Sequence, residues 1–155
     1  MKAQKKVAYI CGPLTELPPD EHHRVKEFYS KLGNICEVIN GARGFVPHEH
    51  FDPIIHSNYT PTEVDSAERH QVCKCTCVLI VIAIAPSWGG GIEVEMANQN
   101  NVPVIILRPF GKKVSRLLLG NPSVLHELCY ESEEHAVGLL ENCLRNLFNA
   151  GAIVL

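Results

Sequence analysis

The sequence predicts an α/β protein, with a doubly wound, flavodoxin-like or Rossmann-like sheet of five parallel strands and helices on both of its faces. Strand-like apolar runs alternate along the chain with segments of helical periodicity, which is the order that βαβ units produce. Two of these runs, 77–85 and 102–108, are almost continuously apolar and rich in Val and Ile. Such composition is typical of central strands that helices cover on both sides.

The first half of the chain supplies two of the predicted strands, 6–11 and 35–39. Between them, the segment 18–34 opens with Pro and acidic residues, places apolar residues on one face and predicts a helix that ends at Gly33. The next stretch, 41–61, is long, irregular and bounded by prolines, and loops of this length in compact domains are usually functional or mobile. A further helix is predicted over 62–74.

The second half adds the two central strands and a fifth strand at 127–131. Between the central strands, apolar residues at helical spacing predict a helix that begins near Ile92 and closes on Asn residues. A short helix is predicted from Ser115. The segment 132–150 begins with Ser132 and acids, carries an apolar stripe and predicts the helix that closes the domain.

Length and charge narrow the possible functions. A chain of 155 residues fits one domain, residues 1–155, and its net charge of −3 leaves no basic stripe for a nucleic acid polymer. The N-terminal apolar run is too short for a secretory core or a membrane span, so we expect a cytoplasmic protein without a membrane partner. Seven cysteines, an odd number, indicate reduced thiols rather than a disulfide framework.

Two loops have the composition to face a ligand. In an open parallel sheet, ligands bind beyond the carboxyl ends of the strands, and "CGPLTEL" (11–17) and "APSWGGGIE" (85–93) each follow a predicted strand. The glycines 89–91 and the helix start behind them expose backbone N–H groups that favour an anion. The helix dipole also favours an ionised Glu93, which can then act as a base or nucleophile. Alternatively, Glu93 and Glu95 are ordinary acids of a first helical turn.

Four segments, "YICGPL" (9–14), "GFVPHEHFDP" (44–53), "PSWGGGIEVEMA" (86–97) and "RLLLGNPSV" (116–124), together resemble the nucleoside 2-deoxyribosyltransferase-like superfamily, which includes the 2'-deoxynucleoside 5'-phosphate N-hydrolases. The resemblance runs over most of the chain. It implies a five-stranded doubly wound sheet, a homodimer with a shared active site, and a glutamate, here Glu93, that attacks C1' of a nucleoside or nucleotide. The resulting glycosyl ester passes the sugar to water in hydrolases and to another base in transferases, and this chemistry requires no metal or organic cofactor.

The resemblance also implies roles for other residues. Glu68, with Asp65 one turn earlier, stands where the family has an Asp that orients the sugar or protonates the base. The substrate-binding residues that it implies, together with the glycine-rich loop, are Tyr9, Gly12, Ser87, Gly89, Gly91 and Ser115. Ile92 and Glu95 replace an aromatic residue and a glycine of the family pattern, and Trp88 is expected to supply the aromatic wall against the base. Glu95 adds a negative charge that disfavours a phosphorylated ligand.

Other hypotheses compete with this one. A metal site is suggested by a cluster of His and acidic side chains, His48, Glu49, His50, Asp52 and His56, followed by Cys73, Cys75 and Cys77, although the cysteines lack the spacing of zinc knuckles. A cysteine nucleophile is a second alternative, but no local pattern singles out a Cys–His pair. A third is a noncatalytic nucleotide-binding module. Cytokinin-type phosphoribohydrolases carry a "PGGxGT" signature that this chain lacks.

Overall fold

The computed structural model describes residues 4–155, which form a parallel four-stranded sheet with helices on both faces. The strands are β1 (Val7–Cys11), β2 (Thr76–Ile82), β3 (Val104–Pro109) and β4 (Val124–Tyr130). The helices are α1 (His22–Ile35), α2 (Glu37–Asn40), α3 (His48–Phe51), α4 (Pro61–Cys75), α5 (Trp88–Gln99), α6 (Arg116–Leu119) and α7 (Glu133–Asn149), and a short 3-10 helix, Pro19–Glu21, precedes α1. The prediction of an α/β fold with a parallel sheet is confirmed.

The predicted strand at 35–39 is wrong, and this is why the sheet has four strands rather than five. Those residues end α1 and form α2, because Leu32, Cys36 and Ile39 recur at helical spacing and are all buried in one core. Gly41, with a φ of 72°, ends α2 in the left-handed conformation that glycine adopts without strain. The apolar run at 35–39 is short enough to fit both the two-residue period of a strand and the 3.6-residue period of a helix.

A single residue, Phe45, takes the edge place of the missing strand. Its N–H donates to Ala8 O (2.8 Å), and its carbonyl accepts from Ile10 N (2.9 Å), which makes a parallel bridge opposite Tyr9. The sheet order is β1-β2-β3-β4, so the chain leaves β1, touches its outer edge at Phe45 and crosses back to β2. The direction of winding therefore reverses between β1 and β2, where a doubly wound sheet places its ligand crevice.

Two hydrophobic cores fill the space between the sheet and its helices. Alternate strand residues such as Ile10 and Ile80 pack with α1 and α7, whereas their neighbours, including Tyr9 and Leu79, pack with α4 and α5. All seven residues of β2 are buried, which confirms its prediction as a central strand. This alternation directs Tyr9 and Cys11 toward α5.

Helix α5 begins at Trp88 and not near Ile92, as the sequence predicted. Ser87 is its N-cap and accepts a hydrogen bond from Gly90 N (3.1 Å), so the glycines 89–91 are part of the first turn and not a loop before it. The predicted helix 62–74 agrees with α4, whose Thr60 and Glu63 form a capping box. Ser115 and Ser132 are the N-caps of α6 and α7.

Candidate active site

A cavity of about 510 Å³ opens beyond the carboxyl end of β1, between the loop that follows β1, the segment 47–68 and the first turns of α5. Its wall includes six of the residues that the sequence assigned to a site: Gly12, Asp65, Glu68, Ser87, Gly89 and Glu93. Four acidic side chains line it, Glu16, Asp65, Glu68 and Glu93, and we call it the acidic cavity. The volume lies within the range of small-molecule sites.

Glu93 projects from the second turn of α5 and is 8% exposed. The Tyr9 hydroxyl donates to its Oε1, and the Cys11 thiol donates to its Oε2 at 2.8 Å. Burial raises the pKa of Glu93 above its usual range, while the hydrogen bonds from Cys11 and Tyr9 offset part of that rise. The sequence predicted that Glu93 is ionised because it lies in the first turn of the helix, near the positive end of the helix dipole. In the structure Glu93 lies in the second turn, and the Tyr9 and Cys11 side chains stabilise its charge.

Tyr9 and Cys11 reach the same carboxylate because they are alternate residues of one strand and so share a face of the sheet. Both are fully buried, Tyr9 at 0% and Cys11 at 1% exposure. Burial, followed by the nearby Glu93 charge, raises the pKa of the Tyr9 hydroxyl and of the Cys11 thiol well above the ordinary values. Both groups therefore remain protonated donors at neutral pH. Sequence reasoning named Tyr9 and missed Cys11, although the strand alternation could have identified it.

Glu68, on α4, faces the cavity half-buried. Burial, followed by the charges of Glu93 and Asp65, raises the pKa of Glu68 to about 7. A carboxyl group of this kind is protonated in a large fraction of molecules at neutral pH and can donate a proton. Asp65 lies on the exposed rim, where Arg69 holds it in an ion pair (2.8 Å) and its hydrogen bonds lower the pKa of Asp65. Of the two acids of α4 that line the cavity, only Glu68 has the burial and pKa of a proton donor.

The glycines near the cavity differ in what surrounds them. A methyl group on Gly12 would lie 2.5 Å from the ring of the buried Tyr29, so this position accepts only glycine while Tyr29 keeps its hydrogen bond to Pro13 O (2.7 Å). A methyl group on Gly89 or Gly91 would meet no atom within 4 Å. The Trp88 and Gly89 N–H groups lie in the first helical turn and have no intrahelical acceptor. This end of α5 is open to an anionic group.

The irregular stretch 41–61 forms the opposite wall, with His48, His56 and Tyr59 lining the cavity. His48 packs against Tyr29 with ring centroids 6.1 Å apart, and burial lowers its pKa. Asp52 fixes the wall: it is 1% exposed, pairs with Lys26 and accepts from Ile54 N (2.8 Å). Burial alone would raise the pKa of Asp52, but the Lys26 and backbone hydrogen bonds lower it to about 2.

A second cavity of about 920 Å³ lies on the other side of the α5 N-terminus and shares Gly12, Ser87 and Gly90 with the first. Its wall is largely apolar and includes Lys112 and Lys113, and we call it the lysine cavity. Three residues assigned to the site from sequence line it rather than the acidic cavity: Trp88, Gly91 and Ser115. Trp88 is 88% exposed and forms no wall of the acidic cavity within this chain.

The structure also bears on the metal and cysteine-nucleophile hypotheses. Within residues 4–155, no group of three or more His, Cys, Asp or Glu side chains is placed to hold a metal ion. Cys75 contacts His70 (Sγ to Nε2, 3.6 Å), but neither residue lines a cavity described above. In the same residues, no helix is both long and apolar enough to cross a lipid bilayer.

Comparisons with known proteins show the fold. No family model and no curated protein matches the sequence. Among solved structures, BlsM superposes with a TM-score of 0.69 and 19% identity over 99% of this chain and 98% of its own. The CMP N-glycosidase BcmB of Clostridium botulinum superposes with a TM-score of 0.58 and 16% identity over 88% of this chain and 98% of its own. The chain is thus similar in fold, over nearly its whole length, to these two proteins.

Proposed function

We propose that the protein cleaves the N-glycosidic bond of a nucleoside or nucleoside 5'-monophosphate, with water as acceptor and Glu93 as nucleophile. One observation carries this proposal: a buried carboxylate, held by two donors, faces a cavity that also contains a carboxyl group with a pKa of about 7. One group is suited to attack, and the other to protonate the leaving base. The fold shared with a CMP N-glycosidase, and the sequence motifs, support the same substrate class.

In the first step, a carboxylate oxygen of Glu93 bonds to C1' while the bond from C1' to the base breaks. The electron pair goes to the base nitrogen, and Glu68 supplies the proton. In the second step, Glu68 takes a proton from water, whose oxygen attacks C1' and releases Glu93. Two displacements at one carbon retain its configuration. Tyr9 and Cys11 hold the carboxylate between the steps.

The remaining parts of the proposal concern the ligand and the assembly. The open first turn of α5, with Ser87 and Gly89, favours the 5'-phosphate or a sugar oxygen. We further propose that residues 1–155 form one domain of the nucleoside 2-deoxyribosyltransferase-like superfamily and that the protein works as a homodimer. Trp88 and Leu117, 88% and 87% exposed, flank the lysine cavity beside Ser115 and offer apolar surface for a second copy.

A substrate panel tests the reaction. Purified protein is incubated with deoxynucleosides, ribonucleosides and their 5'-monophosphates, with and without a second free base, and base release is followed by chromatography. Release in water alone is the expected result. Base exchange would assign a transferase instead.

The substitution Glu93→Gln tests the nucleophile. It should lower turnover by at least about 10³-fold, because an amide cannot form the glycosyl ester, while the same ligands still raise the melting temperature. Wild-type turnover in Glu93→Gln would contradict the mechanism. Ligand-dependent stabilisation without turnover in the wild-type protein would favour the noncatalytic nucleotide-binding module.

A further inference from the structure

The two oxygens of the Glu93 carboxylate have unequal partners. A phenolic hydroxyl, that of Tyr9, donates to Oε1, and a thiol, that of Cys11, donates to Oε2 at 2.8 Å. An S–H group is a weaker hydrogen-bond donor than an O–H group. The negative charge is therefore neutralised less at Oε2 than at Oε1.

We propose that Cys11 is a positioning residue that orients the Glu93 carboxylate and leaves Oε2 as the oxygen that attacks C1'. This inference rests on the proposed function. When Oε2 bonds to C1', it loses its charge and gives up only a weak S–H hydrogen bond. Oε1 becomes the carbonyl oxygen of the ester and continues to accept from Tyr9. When water releases the sugar, Oε2 recovers both its electron pair and the S–H hydrogen bond.

The packing around Cys11 keeps the thiol in this position. Cys11 is 1% exposed and lies beneath the first turn of α5, where a methyl group on Gly90 would come within 3.3 Å of its Sγ. A contact of that length would require the thiol to shift. Cys11 also lines the lysine cavity, so it stands between that cavity and the nucleophile. Serine, smaller than cysteine, fits the same space and retains a donor.

Several titratable groups act on Glu93. Tyr9 and Cys11 face it from β1, and Glu68, on α4, lines the same cavity and is affected by its charge. The other titratable groups that line this cavity are Glu16, Tyr29, His48, His56, Tyr59 and Asp65. A substitution at Cys11 changes only the group on Oε2 and leaves the others in place.

Two substitutions at Cys11 test the inference through opposite effects. Cys11→Ala removes a donor, so the pKa of Glu93 rises and the acidic limb of the kcat/KM profile moves to higher pH, with a loss of about tenfold in rate on that limb. Cys11→Ser places a stronger donor on Oε2, so the limb moves to lower pH. Its kcat also falls severalfold at unchanged KM, because the attacking oxygen is less nucleophilic. A purely structural role for Cys11 would not move the limb in opposite directions.

Cys36→Ala is the matched control. Cys36 is also 1% exposed, and its thiol donates to Leu32 O (3.2 Å), away from Glu93. Loss of this thiol should lower the melting temperature without moving the acidic limb. A similar displacement in Cys36→Ala would overturn the inference.

A second measurement does not depend on turnover. Protein labelled with ¹³C at the glutamate carboxyl carbon is titrated by NMR, and Glu93→Gln identifies the Glu93 resonance. The Glu93 pKa should increase in the order Cys11→Ser, wild type, Cys11→Ala, and if the alanine variant does not fold, the lower pKa in Cys11→Ser decides. Equal pKa values would overturn the inference even if turnover is found. The expected order of Glu93 pKa values, found together with no turnover on any substrate, would overturn the proposed function. Oε2 would then no longer be an attacking oxygen, but Cys11 would still be a positioning residue for the Glu93 carboxylate.

Discussion

The two cavities beside the α5 N-terminus share Gly12, Ser87 and Gly90 yet differ in charge and in depth of burial. The acidic cavity ends on Glu93, which is 8% exposed and held by two donors. The lysine cavity carries two cations, Lys112 and Lys113, and one acid, Glu95, and it is flanked by the exposed Trp88. The acidic cavity shifts the pKa values of Glu93 and Glu68, as the acids and bases of a reaction require. The lysine cavity leaves Lys112 and Lys113 exposed to solvent, where their charge can attract an anion.

The two cavities meet at the first turn of α5, and we expect them to have different roles in the reaction. The first turn of α5 belongs to both, so a ligand with a reactive sugar and an anionic group can reach the two environments at once. The difference predicts that substitutions in the acidic cavity lower kcat, and that substitutions in the lysine cavity mainly raise KM. The three predictions below test this division.

The largest effect is expected from Glu68→Gln. Removal of the proton donor should lower kcat by roughly 10²–10⁴-fold for bases that leave poorly without protonation. The pKa of Glu68 is raised to about 7, so the wild-type rate should fall as pH rises through that value, and this falling limb should vanish in the variant. The measurement is the pH dependence of kcat from pH 5 to 9.

The same exchange at Glu95 is the control. Glu95 lines the lysine cavity and pairs with amide side chains, including that of Asn121 (3.1 Å). Glu95→Gln should keep the falling limb and change kcat little. A limb that persists in Glu68→Gln would show that another group donates the proton.

A smaller effect is expected from Gly89→Ala, with Gly91→Ala as its counterpart. Both place a methyl group in open space within α5, and both gain similar helix propensity. Gly89 lines the acidic cavity, and Gly91 lines the lysine cavity. We expect Gly89→Ala to lower kcat by about tenfold, because the methyl group displaces the sugar from the Glu93 carboxylate, and Gly91→Ala to leave kcat unchanged.

Equal losses of kcat in the two glycine variants would show that the cavities do not differ in this way. Thermal melting of both proteins separates that result from a defect in folding. Neither methyl group meets a neighbouring atom, so both variants should melt at or above the wild-type temperature.

The sequence predicted the sheet well where the physical signal was unambiguous. β2 and the first half of β3 are apolar runs rich in Val and Ile, which is typical of central strands, and α4 and α7 begin at recognisable caps. The strand prediction for residues 35–39 was wrong because a run of five residues fits both the two-residue period of a strand and the 3.6-residue period of a helix. The contacts of Cys36 and Ile39 with the core decide for the helix, and these contacts are tertiary. Phe45 instead occupies the outer edge of β1, where it forms a single bridge with Tyr9 that no strand pattern in the sequence indicates.

The site was predictable in part for similar reasons. Glu93 follows a glycine-rich segment after a central strand, so its place in the crevice could be inferred from order along the chain. The hydrogen bonds from Tyr9 and Cys11 and the raised pKa of Glu68 depend on burial and on the approach of β1, α4 and α5, which no local pattern records. The prediction for Trp88 relied on order along the chain and was not met. Trp88 lines the lysine cavity although the adjacent Gly89 lines the acidic cavity, because adjacent residues point to different sides of a helix.

The smallest effect is expected from Ser115→Ala, which tests whether the lysine cavity binds the 5'-phosphate. Ser115 caps α6 through Leu117 N (3.2 Å), so the loss of the cap alone costs about 1 kcal/mol. Ser132→Ala removes an equivalent cap from α7, where Ser132 accepts from His135 N (3.1 Å), and serves as the control. If Ser115 contributes to a phosphate site, KM for monophosphates should rise severalfold in Ser115→Ala alone, while KM for nucleosides and kcat stay unchanged. The same rise in Ser132→Ala, or an equal rise for nucleosides, would mean that the effect comes from the cap, and the phosphate would then have to be bound by the first turn of α5 without help from Ser115.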